Sequence, residues 1–170
     1  MAIQGARPNN QQVVPHLIVR DVTKAIDFYE RALGAQVLYR GQMPDGTVLH
    51  AHVRIAESVI MVSLENMGLD EREMAKVEVG VRVRGPETLR GTTTILELYV
   101  SDVDAAFQRA VEAGGTPKLQ VQDQFYGDRY GQFTDPFGHV WALASVREAL
   151  TPEEIKARVM EHFAPSSSRG

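Results

Sequence analysis

VPHLIVRDVTKAIDFYERALGA, residues 14–35, returns as ILELYVSDVDAAFQRAVEAGGT, residues 95–116, at a constant offset of 81 with no gap. Leu17, Val19, Asp21, Val22, Ala25, Ala32 and Gly34 recur as Leu98, Val100, Asp102, Val103, Ala106, Ala113 and Gly115. Each copy is an apolar run, an Asp, a helical pattern and a closing glycine. A self-match at fixed spacing signals repeated structural units. The repeat therefore predicts two similar halves, and a ligand site can form where the two units meet.

Working outward from the first copy, Val13–Val19 reads as a strand. Asp21 then caps a helix, because its carboxylate accepts free N–H groups of the first turn. Val22, Ala25, Ile26, Tyr29 and Leu33 follow at helical spacing, and Gly34 ends the segment. Strands are expected over residues 35–40, 47–55 and 58–64, with a Pro44-Asp45-Gly46 turn between the first two. The second half repeats this order: a strand over 94–100, a helix over 103–113 capped by Asp102, then strands near 117–122, 129–134 and 139–145. Asp135-Pro136-Phe137-Gly138 supplies the last hairpin turn. Thr151-Pro152-Glu153-Glu154 is a capping box with Pro at the first helical position. The apolar edge of that final helix, Ile155, Val159 and Phe163, is expected to dock.

The expected fold is thus α+β, two tandem βαβββ modules and a C-terminal helix. The expected organisation is a flexible N-terminus (1–12), a first module (13–65), a linker (66–93), a second module (94–147), a C-terminal helix (151–164) and a disordered tail (165–170). Within the linker, 69–76 reads as a short helix and 77–84 as an alternating strand, ended by Gly85-Pro86.

Composition narrows the function. The chain has 170 residues and 44% hydrophobic residues, enough for a sizeable core. A net charge of −4 offers no basic stripe for phosphates, against nucleic acid. Cysteine is absent, so thiolate chemistry and disulfides are excluded. No apolar run reaches the roughly 18 residues of a membrane span, and no apolar signal core opens the chain. A cytoplasmic protein, with neither nucleic acid nor membrane as partner, is expected.

HLIVRDVTKAIDFYERALGA, MPDGTVLHAHVRI and GDRYGQFTDPFGHVWALA, taken in order with the internal repeat, resemble the vicinal oxygen chelate superfamily. That superfamily includes glyoxalase I, bleomycin-resistance proteins and extradiol dioxygenases; the last two motifs look most like its PhnB-like branch. The resemblance implies paired βαβββ modules, a curved, cup-shaped sheet around a small molecule, and a homodimer. It also implies a metal held by one residue from the first and one from the last strand of each module. Those positions fall here on Val14, Met61, Ile95 and Ala142, whose side chains carry neither the carboxylate nor the imidazole that a divalent cation wants. No cofactor is expected at the family position.

Strand parity then picks out the polar groups on the cup. His16 and Glu97 occupy the same repeat position, five residues before each Asp. If they meet, the carboxylate raises the imidazole pKa and makes a general base; the competing reading is a structural pair joining the modules. His50, His52 and Arg54 alternate with Leu49, Ala51, Val53 and Ile55, whose apolar face is expected to pack on the helix. A displaced divalent metal at His16, His50 and His52 is the alternative to a metal-free cup. Met61, Tyr99, Tyr126, Arg129 and Tyr130 complete the candidate ligand contacts, the aromatics and guanidinium suiting a planar or anionic ligand. His139 and Trp141 read as structural.

Two functions stay open beside a purely structural or interaction module, which the charged linker and terminal helix also allow. One is a protein that binds an apolar or aromatic small molecule without metal. The other is a lyase or isomerase using a His16–Glu97 acid/base pair or a displaced metal. Whether the chain is an enzyme is left undecided by its residues.

Overall fold

The computed structural model describes residues 13–74 and 83–164. The expected N-terminal segment 1–12, residues 77–82 of the expected linker strand 77–84 and the tail 165–170 lie outside the described residues, and Val83 and Arg84 are not in a strand.

The first module runs β1 (His16–Val19), α1 (Val22–Leu33), β2 (Gln36–Gln42), β3 (Val48–Ile55) and β4 (Ser58–Leu64). A 3-10 turn (Glu65–Gly68) and the short helices α2 (Glu71–Met74) and α3 (Pro86–Leu89) follow. The second module runs β5 (Ile95–Tyr99), α4 (Val103–Glu112), β6 (Thr116–Asp123), β7 (Asp128–Thr134) and β8 (Val140–Val146), and α5 (Pro152–His162) ends the described chain. The sheets have the same topology, β1-β4-β3-β2 and β5-β8-β7-β6, with a parallel pair at one end of each order.

Local sequence explains the elements. Asp21 accepts from Lys24 N at 3.0 Å and Asp102 from Ala105 N at 3.0 Å, so both caps form as the motif requires. Gly34 stops α1 in the left-handed region, φ 66°, where a side chain would be strained. The repeat holds in three dimensions: His16 registers with Met61, and Glu97 registers with Ala142, each pair 81 positions from its counterpart.

The modules join through their helices. α1 packs on α4 and on β3 and β4, while α4 packs on β6, β7 and β8. Phe28 of α1 lies 6.3 Å from Phe133 and Tyr29 lies 5.6 Å from Trp141, so α1 is built into the core of the other half. At the centre Asp135 is 4% exposed. Its carboxylate accepts four hydrogen bonds: from Tyr29 Oη (2.7 Å), Trp141 Nε1 (3.1 Å), Phe137 N (2.9 Å) and His139 N (2.9 Å). A buried carboxylate survives only with such full pairing. Trp141 and His139 are thus structural, and His139 Nε2 also donates to Ile18 O at 3.1 Å.

The opposite face of each sheet stays open. On β5 the exposed residues are Ile95, Glu97 and Tyr99, while Leu96 and Leu98 turn inward. On β3, Ala51, Val53 and Ile55 are buried, and His50 and His52 are half-buried on the open side.

Candidate functional site

The first module's open face carries an imidazole cluster. β1 and β3 flank β4, which places Met61 beside both His16 and His52 and places Ser63 beside His50. Ser63 Oγ lies 2.6 Å from His16 Nε2 and 2.6 Å from His50 Nδ1. A hydroxyl has one proton, so at most one ring receives it and the other must donate its N–H. The His50 and His52 rings meet edge-on at 4.8 Å, and Tyr39 covers His52 at 5.4 Å. Partial burial of the His16 ring pushes its pKa below the ordinary value. Arg54 is exposed at the sheet rim, where its guanidinium donates to Gln36.

The structure does not bring His16 and Glu97 together. Each lies on the open face of its own sheet, and the two sheets share no strand pairing among the described residues. His16 is bonded to Ser63 instead, and its pKa falls through burial where a neighbouring carboxylate would have raised it. Repeat equivalence relates the two positions by symmetry; it does not make them touch. Nor are any three His, Cys, Asp or Glu side chains among the described residues grouped to hold a metal ion. His16 and His50 converge on a hydroxyl, so the displaced His16, His50, His52 centre lacks a fitting arrangement. The positions that the resemblance assigns to the superfamily's metal carry Val14, Met61, Ile95 and Ala142, whose side chains offer no oxygen or nitrogen ligand. The residues present do not fit a metal at either place.

The second module's open face forms a cleft of about 580 Å³, within the range of small-molecule sites. Glu97 and Tyr99 come from β5, Tyr130 from β7 and Tyr126 from the loop before it. Val146, Leu150 and Ile155 supply aliphatic wall, so the docked C-terminal helix closes one side. That helix forms the expected capping box, Thr151 with Glu154. It is held by Arg158, which donates to Glu148 Oε2 at 2.7 Å and to Phe125 O at 3.3 Å, and by His162 stacked on Phe125 at 4.3 Å.

Electrostatics inside the cleft are one-signed. Tyr99 Oη donates to Asp128 Oδ2 at 2.9 Å, and that bond, with burial and the charges of Asp128 and Glu97, pushes its phenol up to about 12. Burial first, then Tyr130, Asp128 and Glu97, raises the Tyr126 phenol as well. Tyr130 accepts from Gln132 Nε2 at 2.6 Å.

Arg129 departs from the ligand contact expected of it. It neither lines the cleft nor pairs with Asp128. Strand alternation sends Asp128 and Tyr130 to the open face and Arg129 to the other, where it forks onto Asp104 (2.7 Å) and reaches Asp123 (3.0 Å). Sequence reading missed Ser63, Tyr39, Asp128, Glu148, Leu150 and Ile155. The capping box and the apolar edge at Ile155 were the one signal for the last of these.

Duplicated βαβββ halves, each with an open sheet face and joined through their helices at the core, define the architecture. The profile of the Glyoxalase/Bleomycin resistance protein/Dioxygenase superfamily matches residues 11–143, and the chain belongs to that superfamily. It is 41% identical over 143 residues to protein Rv0887c of Mycobacterium tuberculosis, covering 84% of this chain and 79% of the relative. The crystal structure of TioX from Micromonospora sp. ML1 superposes with TM-score 0.60 at 27% identity, covering 80% of this chain and 98% of TioX. A PhnB protein from Bacillus cereus, titled a putative 3-demethylubiquinone-9 3-methyltransferase, shares the fold with TM-score 0.56 at 14% identity, over 80% of this chain and 100% of that one.

Proposed function

We propose that this chain binds an apolar or aromatic small molecule in the second module's cleft, without the superfamily's metal. The observation that carries this reading is the cleft wall itself: Tyr99, Tyr126 and Tyr130 beside Val146, Leu150 and Ile155. Aromatic rings give large contact area and orient a planar ligand by stacking. A cytoplasmic homodimer, with a second copy over part of the open faces, belongs to the same reading; Ile95 is 53% and Val146 59% exposed there.

Titration with the neutral, solvatochromic dye Nile red tests it. Saturable binding at one site per chain is expected. Tyr126→Ala should weaken it about tenfold, equivalent to about 1.4 kcal/mol. No saturable binding, or identical binding by the variant, overturns the reading.

A second reading is proton-transfer chemistry, as in a lyase or isomerase, on the first module's face. Ser63 linking His16 and His50 is what favours it, in place of the His16–Glu97 pair. Its test is His16→Ala, which should abolish turnover of any substrate found while leaving the fold intact.

A further inference from the structure

We propose that the second module's cleft selects a ligand carrying a positive charge beside an aromatic ring, with Glu97 as the counter-charge. This rests on the reading that the cleft holds a ligand at all.

Three ionisable carboxylates line the cleft, Glu97, Asp128 and Glu148, and no Lys, Arg or His lines it. Two of the three are already engaged. Glu148 takes both guanidinium nitrogens of Arg158, at 2.7 and 3.2 Å. Asp128 takes the Tyr99 hydroxyl. Glu97 has no hydrogen bond or ion pair among the described residues, and it projects from the open face between Ile95 and Tyr99. Two nearby cations are committed elsewhere, and Arg147 does not line the cleft. Arg129 is turned to the far side of its strand and bound to two aspartates, and Arg158 is the latch of α5.

The rings reinforce the same sign. Three phenol faces in one cleft attract a cation through their quadrupoles. The Asp128 bond raises the Tyr99 phenol and burial raises the Tyr126 phenol, and the charges of Asp128 and Glu97 add to both. An anionic ligand would meet Glu97 with no guanidinium or ammonium to offset it. A primary or secondary amine attached to a flat ring meets both features at once: ring on tyrosine, ammonium on carboxylate. Its charge-assisted hydrogen bond would replace water on Glu97.

The test uses one ring with three charges. Tryptamine, 3-methylindole and indole-3-acetate compete against Nile red on the full chain at neutral pH and low salt. Tryptamine should displace the dye at about tenfold lower concentration than 3-methylindole, and indole-3-acetate should be the weakest. In Glu97→Gln the tryptamine-to-methylindole ratio should fall to about one. Raising the ionic strength should shrink the same ratio in the wild type, since the carboxylate is solvent-accessible. Equal displacement by the three indoles, no displacement by tryptamine, or a ratio unmoved by Glu97→Gln overturns the inference and leaves the binding reading standing. Failure of Nile red itself to bind the wild type overturns both.

Discussion

Tyr29 and Asp135, 106 residues apart, meet in a buried hydrogen bond of 2.7 Å that ties the helix of one module to the last hairpin of the other. Burial and the adjacent Asp135 charge hold the Tyr29 phenol well above its ordinary pKa, so it serves as a donor throughout the working pH range. Tyr29→Phe removes one of four donors to a buried carboxylate and should cost about 1.5–3 kcal/mol. Asp135→Ala strands all four donors and should cost more. Urea unfolding of both variants checks the order; an Asp135→Ala protein as stable as wild type would contradict it.

His16 should titrate below its ordinary value of about 6.5. The folded state then binds fewer protons than the unfolded chain as pH falls through that range. The sign follows: the His16 contribution is fully present above the unfolded pKa and is lost as pH drops toward the folded one. An NMR titration of the ring carbons should place the midpoint on the acid side. His16→Gln should flatten the acid limb of the stability curve; a midpoint above 6.5 would reverse the argument.

Metal content follows from the donor set. Purified protein should carry no stoichiometric divalent ion, and EDTA should leave Nile red affinity unchanged. Elemental analysis decides it directly. One tightly held ion per chain would mean that His16 and His50 turn away from Ser63.

Arg158→Ala should release α5 from Glu148 and Phe125. Amide exchange across Pro152–His162 should accelerate, and Nile red should bind several-fold more weakly once the Ile155 wall moves. Thr151→Ala should act in the same direction by removing a helix cap, at about 1 kcal/mol. Exchange rates matching the wild type in both variants would show that α5 is held by something else.

The fold was readable because its signals are local and doubled. The Asp21 and Asp102 caps, the Asp135-Pro136-Phe137-Gly138 turn and the Thr151 capping box each act within a few residues and form where expected. The alternation of Ala51, Val53 and Ile55 likewise placed His50 and His52 on the open side. The site was less readable because its partners are set by strand pairing. Ser63 meets His16 through a parallel pair between β1 and β4, a register no local pattern encodes. Arg129 was misplaced for a simpler reason: it neighbours Tyr130 in sequence, and neighbours on a strand face opposite ways. The wall made by Leu150 and Ile155 depends on where a terminal helix docks. Its amphipathic edge predicts docking without naming the surface.

Equivalent register positions hold His16 in one module and Glu97 in the other. Protonation of His16 therefore adds positive charge to one open face at the position where the other face carries a carboxylate side chain. The duplicated halves have become electrically unlike, so the backbone repeat carries no repeat of charge from one open face to the other.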